Sequence, residues 1–250
     1  MTPDNNQFRT GVIKPVECVK EGWALIKDQY WLFLGIVLVG VFIGGAIPIV
    51  LLGPMMVGIY LCFFRKMRGE LVDFAAVFKG FDHFAQGLIA ALLQMIPMVI
   101  LLVPSYIIFF VVMMTSMPRH GGRMDPDESS RFVFTILGTE AVFMVVIVTV
   151  SIAVSIFFMF AFPLIADRNM SGLDAVKLSI KAGKANFGGV LALLLVNAGM
   201  GIVGVLCCYV GVFFLMPVSF ASYAIAYRRV FPEVSQNFVS PPPPPANWAA

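Results

Sequence analysis

The chain has 250 residues, of which 60% are hydrophobic and only 12% are charged. A soluble domain of this size carries charge on about a quarter of its residues, so the composition excludes an ordinary soluble globular protein. Uncharged apolar stretches of about 18 or more residues are typical of membrane-spanning helices. Four such stretches cover well over half of the chain and predict a polytopic membrane protein: 29–64, 84–118, 141–166 and 185–227.

The first 30 residues are too polar for a secretory signal with an early apolar core. We expect residues 1–12 to be disordered and the first span to act as an uncleaved signal anchor. The stretch 29–64 would form a helix of about 54 Å, too long for one crossing of a hydrocarbon core about 30 Å thick. Pro48, Gly53 and Pro54 divide it into spans at 30–50 and 54–67, and the short second span is expected to be tilted or partly interfacial.

The remaining stretches give four more spans. The middle pair, 84–117 and 131–166, is joined by a polar Gly/Pro-rich loop at 118–130. The last stretch divides around 207–211 into spans at 187–206 and 212–230. The predicted fold class is therefore an all-α membrane protein with six transmembrane helices, arranged as three helical hairpins that are each preceded by an amphipathic interfacial helix.

The distribution of cations predicts the orientation. With six spans, 14 of the 17 Lys and Arg residues lie on the side of the N-terminus, and Arg119, Arg123 and Arg131 lie on the other side. Because Lys/Arg bias in short loops sets orientation, both termini are expected in the cytoplasm. The cations Arg65, Lys66 and Arg68 mark the point where a span emerges there.

Similar segments suggest an internal repeat. Pro54 and Pro217 are each followed six residues later by a tyrosine, Tyr60 or Tyr223, and then by a pair of cations. Three amphipathic stretches, which begin near 13, 71 and 172, each precede two spans. These similarities predict three units, 13–67, 71–168 and 172–230, within one membrane domain of residues 13–232. Shared apolar composition is the alternative explanation.

Cations near the cytoplasmic surface are candidates for contact with lipid headgroups, since each one near an anionic leaflet contributes about 1 kcal/mol. In the third amphipathic stretch, Leu173, Val176 and Ile180 oppose a stripe of lysines, and such helices lie in the membrane interface. Ordinary anchoring is the alternative role. The candidates are Lys177, Lys181, Lys184, Arg65, Lys66, Arg68, Arg228 and Arg229.

Polar residues within spans are candidate functional residues. Gln94 and Asn197 each lie ten residues after an aromatic that leads the span, which places them about 15 Å deep, near mid-membrane. They indicate either a polar patch in a solute or lipid pathway or interhelical hydrogen bonds. Glu140 lies about 39 Å of helix from the cytoplasmic end of its span, so we expect it near the outer interface.

The sequence offers little for catalysis or metal binding. It contains two histidines, predicted on opposite sides of the membrane, and no nucleophile elbow, phosphate-binding glycine loop or HExxH pair. We expect no enzyme activity, no catalytic residue, no cofactor and no nucleic-acid partner. Four methionines and a histidine lie close together in the sequence on the predicted outer side: Met113, Met114, Met117, His120 and Met124. Thioethers with an imidazole attract copper(I), but methionine is also an ordinary apolar core residue. We therefore predict no metal site there. The proline-rich tail, 233–250, is expected to be disordered and cytoplasmic.

Several motifs carry a resemblance to a known family. The hairpin "GPMMVGIY…RG", the run "FPLIADR" followed by "GLDAVKLSIKAGKANFGG", and the closing "MP…AYRRVF" are similar to a large family of bacterial integral membrane proteins of unknown function. These are sometimes called YciC-like and are distantly similar to the membrane portion of glycerophosphodiester phosphodiesterases. The resemblance covers about residues 15–232 and implies a six-helix inner-membrane architecture. The chain shows no appended phosphodiesterase domain, so that chemistry is not transferred.

Two functional hypotheses follow. The first is a non-enzymatic, multi-pass protein of the bacterial inner membrane that acts in membrane or envelope homeostasis through helix packing and lipid-headgroup contacts. Its expected partners are membrane lipids and, through small-residue helix faces, a second copy or other membrane proteins. The alternative is a small-solute or lipid transporter or channel with a polar midplane site at Gln94 and Asn197.

Overall fold

The computed structural model describes residues 7–47, 50–116 and 126–233, without the side chains of 126 and 128. Every regular element in these ranges is helical. The expected disordered segments 1–6 and 234–250 lie outside the described residues, as does most of the outer loop. The α-helices are α1 (Pro15–Ile26), α2 (Tyr30–Ala46), α3 (Leu52–Met67), α4 (Phe84–Ser116), α5 (Pro126–Phe158), α6 (Ala161–Arg168), α7 (Gly172–Ala185), α8 (Phe187–Leu206) and α9 (Val210–Val230).

Five helical segments of the described residues are long and apolar enough to cross a membrane. They comprise α1 with α2, the 3₁₀ segment Phe74–His83 with α4, α5 with α6, α8, and α9. This finding confirms an all-helical chain of membrane-protein character. The arrangement of six spans as three hairpins stays a prediction.

Helix α3 is not among these five segments because it has only 16 residues. Ten of them are buried, among them Tyr60, Phe63 and Phe64. A helix that contacts protein on most sides does not need the length that a lipid-exposed span requires, since its neighbours cover its ends. The structure shows that α3 packs in the core of the bundle, and its expected tilted or partly interfacial position stays a prediction.

Glycines allow the 3₁₀ segment Phe74–His83 to pack directly on α3. A Cβ atom built on Gly58 would lie 1.9 Å from the carbonyl oxygen of Val77, and one on Gly80 would lie 2.0 Å from that of Pro54. Gly53 and Gly87 bring α3 and α4 together in the same way. Small residues commonly permit such close approach between membrane helices, and here they hold the centre of the bundle together.

The two amphipathic helices α1 and α7 pack on the bundle through their small residues. Gly22 of α1 faces the backbone of α9 at Ala221 and Ser222. In α7 the buried face includes Ala175, Ser179, Ala182 and Gly183, and the last of these approaches the Ile156 carbonyl. On the apolar face predicted for α7, Val176 is buried against protein, Ile180 is partly buried and Leu173 remains exposed.

The burial is concentrated at one end of the molecule. Buried residues end at Ala91 on α4, begin at Val150 on α5 and begin at Pro217 on α9. Beyond these points the helices expose apolar side chains such as Ile107 and Val145. The fold is thus a packed bundle at the end where Arg65, Arg168 and Arg228 lie. Toward the other end α4 and α5 stay in contact through Tyr106 and Phe143, whose ring centroids lie 4.9 Å apart, but most of their apolar side chains are exposed.

The predicted span 131–166 is divided into α5 and α6 by a hydrogen-bonded break. The Ser179 hydroxyl donates to the carbonyl oxygen of Phe157 at 2.7 Å and accepts from the Phe160 N–H at 3.1 Å. A hydroxyl that both donates and accepts can satisfy the backbone C=O and N–H groups left unpaired where the helical hydrogen bonds are interrupted. The helix is therefore interrupted at residues 159–160, although α5 and α6 together remain one of the segments long and apolar enough to cross a membrane.

The described part of the expected disordered N-terminus bonds to the bundle. The Arg9 N–H donates to the Val230 carbonyl at 2.8 Å, and the Gly11 N–H donates to the Asn186 side chain at 2.9 Å. The Asn186 amide in turn donates to the Arg9 carbonyl at 3.1 Å. Residues 9–11 are thereby joined to the ends of α7 and α9.

Candidate functional site

A cavity of about 170 Å³ lies where six of the helices meet in the packed half of the bundle. Its walls come from α3, α4, α5, α6, α8 and α9, together with the break between α5 and α6. Four of the lining side chains are polar, and none is charged. The polar ones are Tyr60, Gln94, Ser155 and Tyr223, and the apolar ones are Met56, Phe158, Met159, Phe162 and Leu194.

Several polar atoms of this cavity have no protein partner. The Gln94 side-chain oxygen is buried and accepts no hydrogen bond. Tyr60 is only 4% exposed, and neither its hydroxyl nor that of Tyr223 bonds to any described residue. Buried polar groups in native proteins are nearly always paired. The two tyrosine hydroxyls therefore have unused hydrogen-bonding capacity, whereas the Gln94 oxygen, with less than 1 Å² of accessible surface, is closed to a ligand.

The two tyrosines reach the cavity at matching depths. Tyr60 and Tyr223 each lie seven residues before the last residue of their helix, Met67 or Val230, which corresponds to about 10 Å of helix. Gln94 lies ten residues after Phe84, or about 15 Å along α4. The cavity thus lies among the apolar helices, about 10 Å of helix from the end at which Arg65 and Arg228 lie.

An aromatic layer closes the cavity toward the cations. Phe64 and Tyr227, each one turn beyond a cavity tyrosine, are fully buried, and their ring centroids lie 5.1 Å apart. The Arg228 guanidinium lies 4.7 Å from the Phe64 ring centroid, within cation–π range. Rings and guanidinium together separate the cavity from the charged end.

The charged end is built around Asp167 at the end of α6. Arg228 donates to both of its carboxylate oxygens at 2.9 and 2.8 Å, and the Tyr227 hydroxyl donates to one of them at 2.8 Å. Both charged side chains are mostly buried, with 14% and 12% exposure. Glu233 approaches Arg228 at 3.2 Å. A bidentate pair of this kind holds α6 and α9 in a specific geometry.

Most of the cations predicted to contact headgroups pair with carboxylates of the protein. Lys66 binds Asp28, and Arg228 binds Asp167. Arg229 lies 3.1 Å from Glu17 and 2.7 Å from Glu21. Glu70 lies 2.5 Å from Arg68 and 3.9 Å from Arg65. The Arg68 guanidinium holds the pKa of the exposed Glu70 carboxyl below its usual range.

The lysines of α7 differ from these paired cations. Lys177, Lys181 and Lys184 are all exposed, and no ion pair joins any of them to a carboxylate in the described part of the chain. The Lys184 ammonium lies 6.0 Å from the Phe157 ring centroid. Residues spaced by three and four lie on one helix face, so the three lysines form a continuous cationic stripe.

The two midplane amides have different environments. Asn197 is buried and donates to the Leu193 carbonyl at 2.9 Å and to the Ser222 hydroxyl at 3.2 Å, which joins α8 to α9. Gln94 lines the cavity instead. Glu140 is exposed on the outer part of α5. The structure therefore brings neither Asn197 nor Glu140 into the cavity with Gln94.

Sequence reasoning did not identify Tyr60, Tyr223 or Asp167 as site residues. The two tyrosines were visible as repeated positions after Pro54 and Pro217, but only as evidence for a repeat. Within the described ranges, no group of three His, Cys, Asp or Glu residues could hold a metal ion. Met117, His120 and Met124 of the outer methionine cluster lie outside the described residues.

Comparison of the chain with protein-family models, with curated proteins and with solved structures finds no match.

Proposed function

We propose that this chain is a non-enzymatic, multi-pass protein of the bacterial inner membrane that binds anionic lipid headgroups at its cytoplasmic face and acts in membrane or envelope homeostasis. The observation that carries the proposal is the exposed stripe of Lys177, Lys181 and Lys184 on α7, which has no carboxylate partner among the described residues. The paired cations elsewhere contribute to the packing of the helices. The resemblance to YciC-like membrane proteins agrees with this proposal.

We also propose six crossings, with α3 as the short second one. Helix α3 extends over about 24 Å, and burial by its neighbours makes a full hydrocarbon thickness unnecessary. Helices α4 and α5 have 33 residues each, or about 50 Å. A tilt within the usual range does not fit that length into a core of about 30 Å, so this pair projects beyond the outer surface. Both termini are then cytoplasmic.

The stripe gives a specific test. Three cations near an anionic leaflet contribute about 1 kcal/mol each, so replacing Lys177, Lys181 and Lys184 with glutamine removes most of the preference for anionic lipid. The measurement is native mass spectrometry of protein from nanodiscs of phosphatidylethanolamine and phosphatidylglycerol, in which the ratio of the two retained lipids is counted. We expect the triple variant to lose its excess of phosphatidylglycerol.

A matched control removes the same charge without removing the stripe. Lys20, Lys27 and Lys79 are exposed but lie on separate elements. Their triple glutamine variant should keep most of the phosphatidylglycerol excess. Equal loss in both variants would mean that net charge alone attracts the lipid, and the proposed site on α7 would be wrong.

The cavity favours a second candidate, a small-solute or lipid transporter. Gln94 and the two tyrosines that line it provide a polar site within the bundle. For lipid transport, the test is dithionite quenching of fluorescent phospholipid in proteoliposomes, with Gln94→Leu as the variant. Transbilayer movement no faster than in protein-free vesicles would exclude a lipid-transport role.

A further inference from the structure

The turn between α8 and α9 carries two adjacent cysteines. Cys207 and Cys208 are both exposed, whereas the other two cysteines of the chain, Cys18 and Cys62, are buried. A cysteine reacts as the thiolate and only where its partner can reach it. Thiol chemistry in this chain is therefore confined to the turn.

The position of the turn indicates an oxidising environment. It joins the ends of α8 and α9 that are remote from Lys184 and Arg228, the nearest charged residues before and after it in the sequence. With the six crossings proposed above, those cations are cytoplasmic and the turn lies outside the inner membrane. Disulfides form and persist in that compartment.

The two thiols are poorly placed to pair with each other. Consecutive Cα atoms are about 3.8 Å apart across a trans peptide, which is shorter than the usual separation of about 4.4–6.8 Å between disulfide-linked residues. A bond between Cys207 and Cys208 would therefore be strained and easily reduced. Since the other two cysteines are buried, a stable disulfide of this turn requires a thiol from another chain.

Backbone contacts hold the turn on the two helices. The Tyr209 N–H donates to the Val205 carbonyl at 3.0 Å, although Tyr209 has a left-handed φ of 61°. Beside the turn, a Cβ atom built on Gly204 would lie 2.8 Å from the backbone nitrogen of Val212, so α8 and α9 touch directly. The thiols are thereby held at a constant height relative to both helices.

The partner that fits this turn is a second copy of the chain. Copies inserted in one orientation carry the turn at the same height relative to the bilayer, so lateral diffusion brings like turns together. A two-fold contact places a patch against itself, and like charges in such a patch would repel each other. Residues 185–227 contain no charged side chain, and a thiol bonds covalently to its own kind.

An open apolar groove on the same two helices reaches the turn. It has a volume of about 380 Å³ and is lined by Ala198, Gly201, Ile202, Val205, Leu206 and Val212. A Cβ atom built on Gly201 meets nothing within 4 Å. Because small residues permit close approach between membrane helices, the groove provides space for a helix of the second copy next to the thiols.

We propose that this turn forms a disulfide with the same turn of a second copy, which makes the chain a covalent dimer joined at its outer face. The oxidant is a protein disulfide outside the inner membrane. A thiolate of one copy attacks it and forms a mixed disulfide, and a thiolate of the second copy then displaces the oxidant. Two thiols of the dimer are oxidised, the oxidant disulfide is reduced to two thiols, and these receive both protons. The inference rests on the proposed crossings but not on lipid binding at α7.

The experiment uses two full-length copies with different tags, expressed together. Free thiols are blocked with N-ethylmaleimide before lysis, one tag is captured under denaturing, non-reducing conditions, and the other tag is detected. We expect both tags in a species of twice the monomer mass, which dithiothreitol converts to monomer. Peptide mass spectrometry of this species should find the peptide that contains Cys207 and Cys208 joined to a second copy of itself.

Matched variants show which cysteines form the bond. The double variant Cys207→Ser with Cys208→Ser should lose the dimeric species. The double variant Cys18→Ala with Cys62→Ala removes the same number of thiols and leaves the turn unchanged, so it should keep the dimer. Dimer that persists without the turn cysteines would overturn the proposal.

Measurements on the unchanged protein also decide the outcome. Turn thiols that are both free, that bond only to each other or that bond only to a different protein would overturn the dimer. A membrane-impermeant maleimide applied to reduced spheroplasts tests the crossings separately. A turn that reacts from outside but yields no dimer would overturn the disulfide alone, whereas a turn that reacts only after lysis would overturn the proposed crossings as well.

Discussion

The contact between α3 and the 3₁₀ segment Phe74–His83 predicts a large effect for Gly58→Ala. The added Cβ would lie 1.9 Å from the Val77 carbonyl oxygen and 2.9 Å from its carbon. An ordinary carbon–oxygen contact is about 3.3 Å, so the two backbones must separate by more than 1 Å. Neither atom belongs to a flexible side chain, and the strain cannot be relieved by rotation.

The magnitude follows from strain and lost packing. Overpacking costs about 1–3 kcal/mol, and a gap of 0.5–1 Å loses a quarter to a half of each contact energy around Ala76 and Val77, which are buried. We expect a loss of about 2–4 kcal/mol, which lowers the melting temperature by roughly 5–15 °C. The assay is thermal unfolding in detergent, followed by the fluorescence of a thiol-reactive dye at the buried cysteines.

The matched control is Gly45→Ala in α2, where an added Cβ meets nothing within 4 Å. Replacing a helix glycine with alanine in open space stabilises by about 0.5–1 kcal/mol, so this variant should melt at or slightly above the wild-type temperature. If the Gly58→Ala variant has the same melting temperature as the Gly45→Ala variant, the described backbone contact between α3 and the 3₁₀ segment is refuted.

Two further predictions concern polar groups at the packed end. Ser179→Ala removes both hydrogen bonds at the α5–α6 break and leaves the Phe160 N–H unpaired. We expect the free energy of unfolding, measured by denaturant titration, to fall by about 1–3 kcal/mol. An unchanged midpoint would contradict this. Asp167→Asn leaves Arg228 without its carboxylate and should cost roughly 3 kcal/mol, since truncating one member of a mostly buried pair strands the other. The double variant with Arg228→Met should recover part of that loss, and additive losses would mean that the pair is not coupled.

The positions of the long helices could be predicted from the sequence because transfer into lipid depends on local composition. The predicted span 84–117 corresponds to α4 (Phe84–Ser116), and the predicted span 187–206 has the bounds of α8 (Phe187–Leu206). Proline and glycine marked the division before α3 correctly. The break at Phe160 was missed, because the side chain that satisfies it, Ser179, comes from another helix.

The behaviour of the cations could not be predicted in the same way. A run such as Arg228–Arg229 shows that charge collects at one surface, but its partners Glu17 and Asp167 lie far away in sequence. Pairing depends on how helices pack around one another, which hydropathy does not report. Lys177 and its neighbours have the same sequence signature as the paired cations, and only the packing of α7 shows that they are exposed.

The two midplane amides show that the position of a polar residue along its helix does not determine which groups surround it. Gln94 and Asn197 were predicted at equal depth from equal spacing, and each is ten residues from the first residue of its helix. Asn197 faces the Ser222 hydroxyl of α9 and is satisfied by it, whereas Gln94 faces the space between Tyr60 and Tyr223 and has an oxygen with no partner. Periodicity along a helix determines depth, but the neighbouring helix decides whether a polar group at that depth joins two helices or lies beside a cavity.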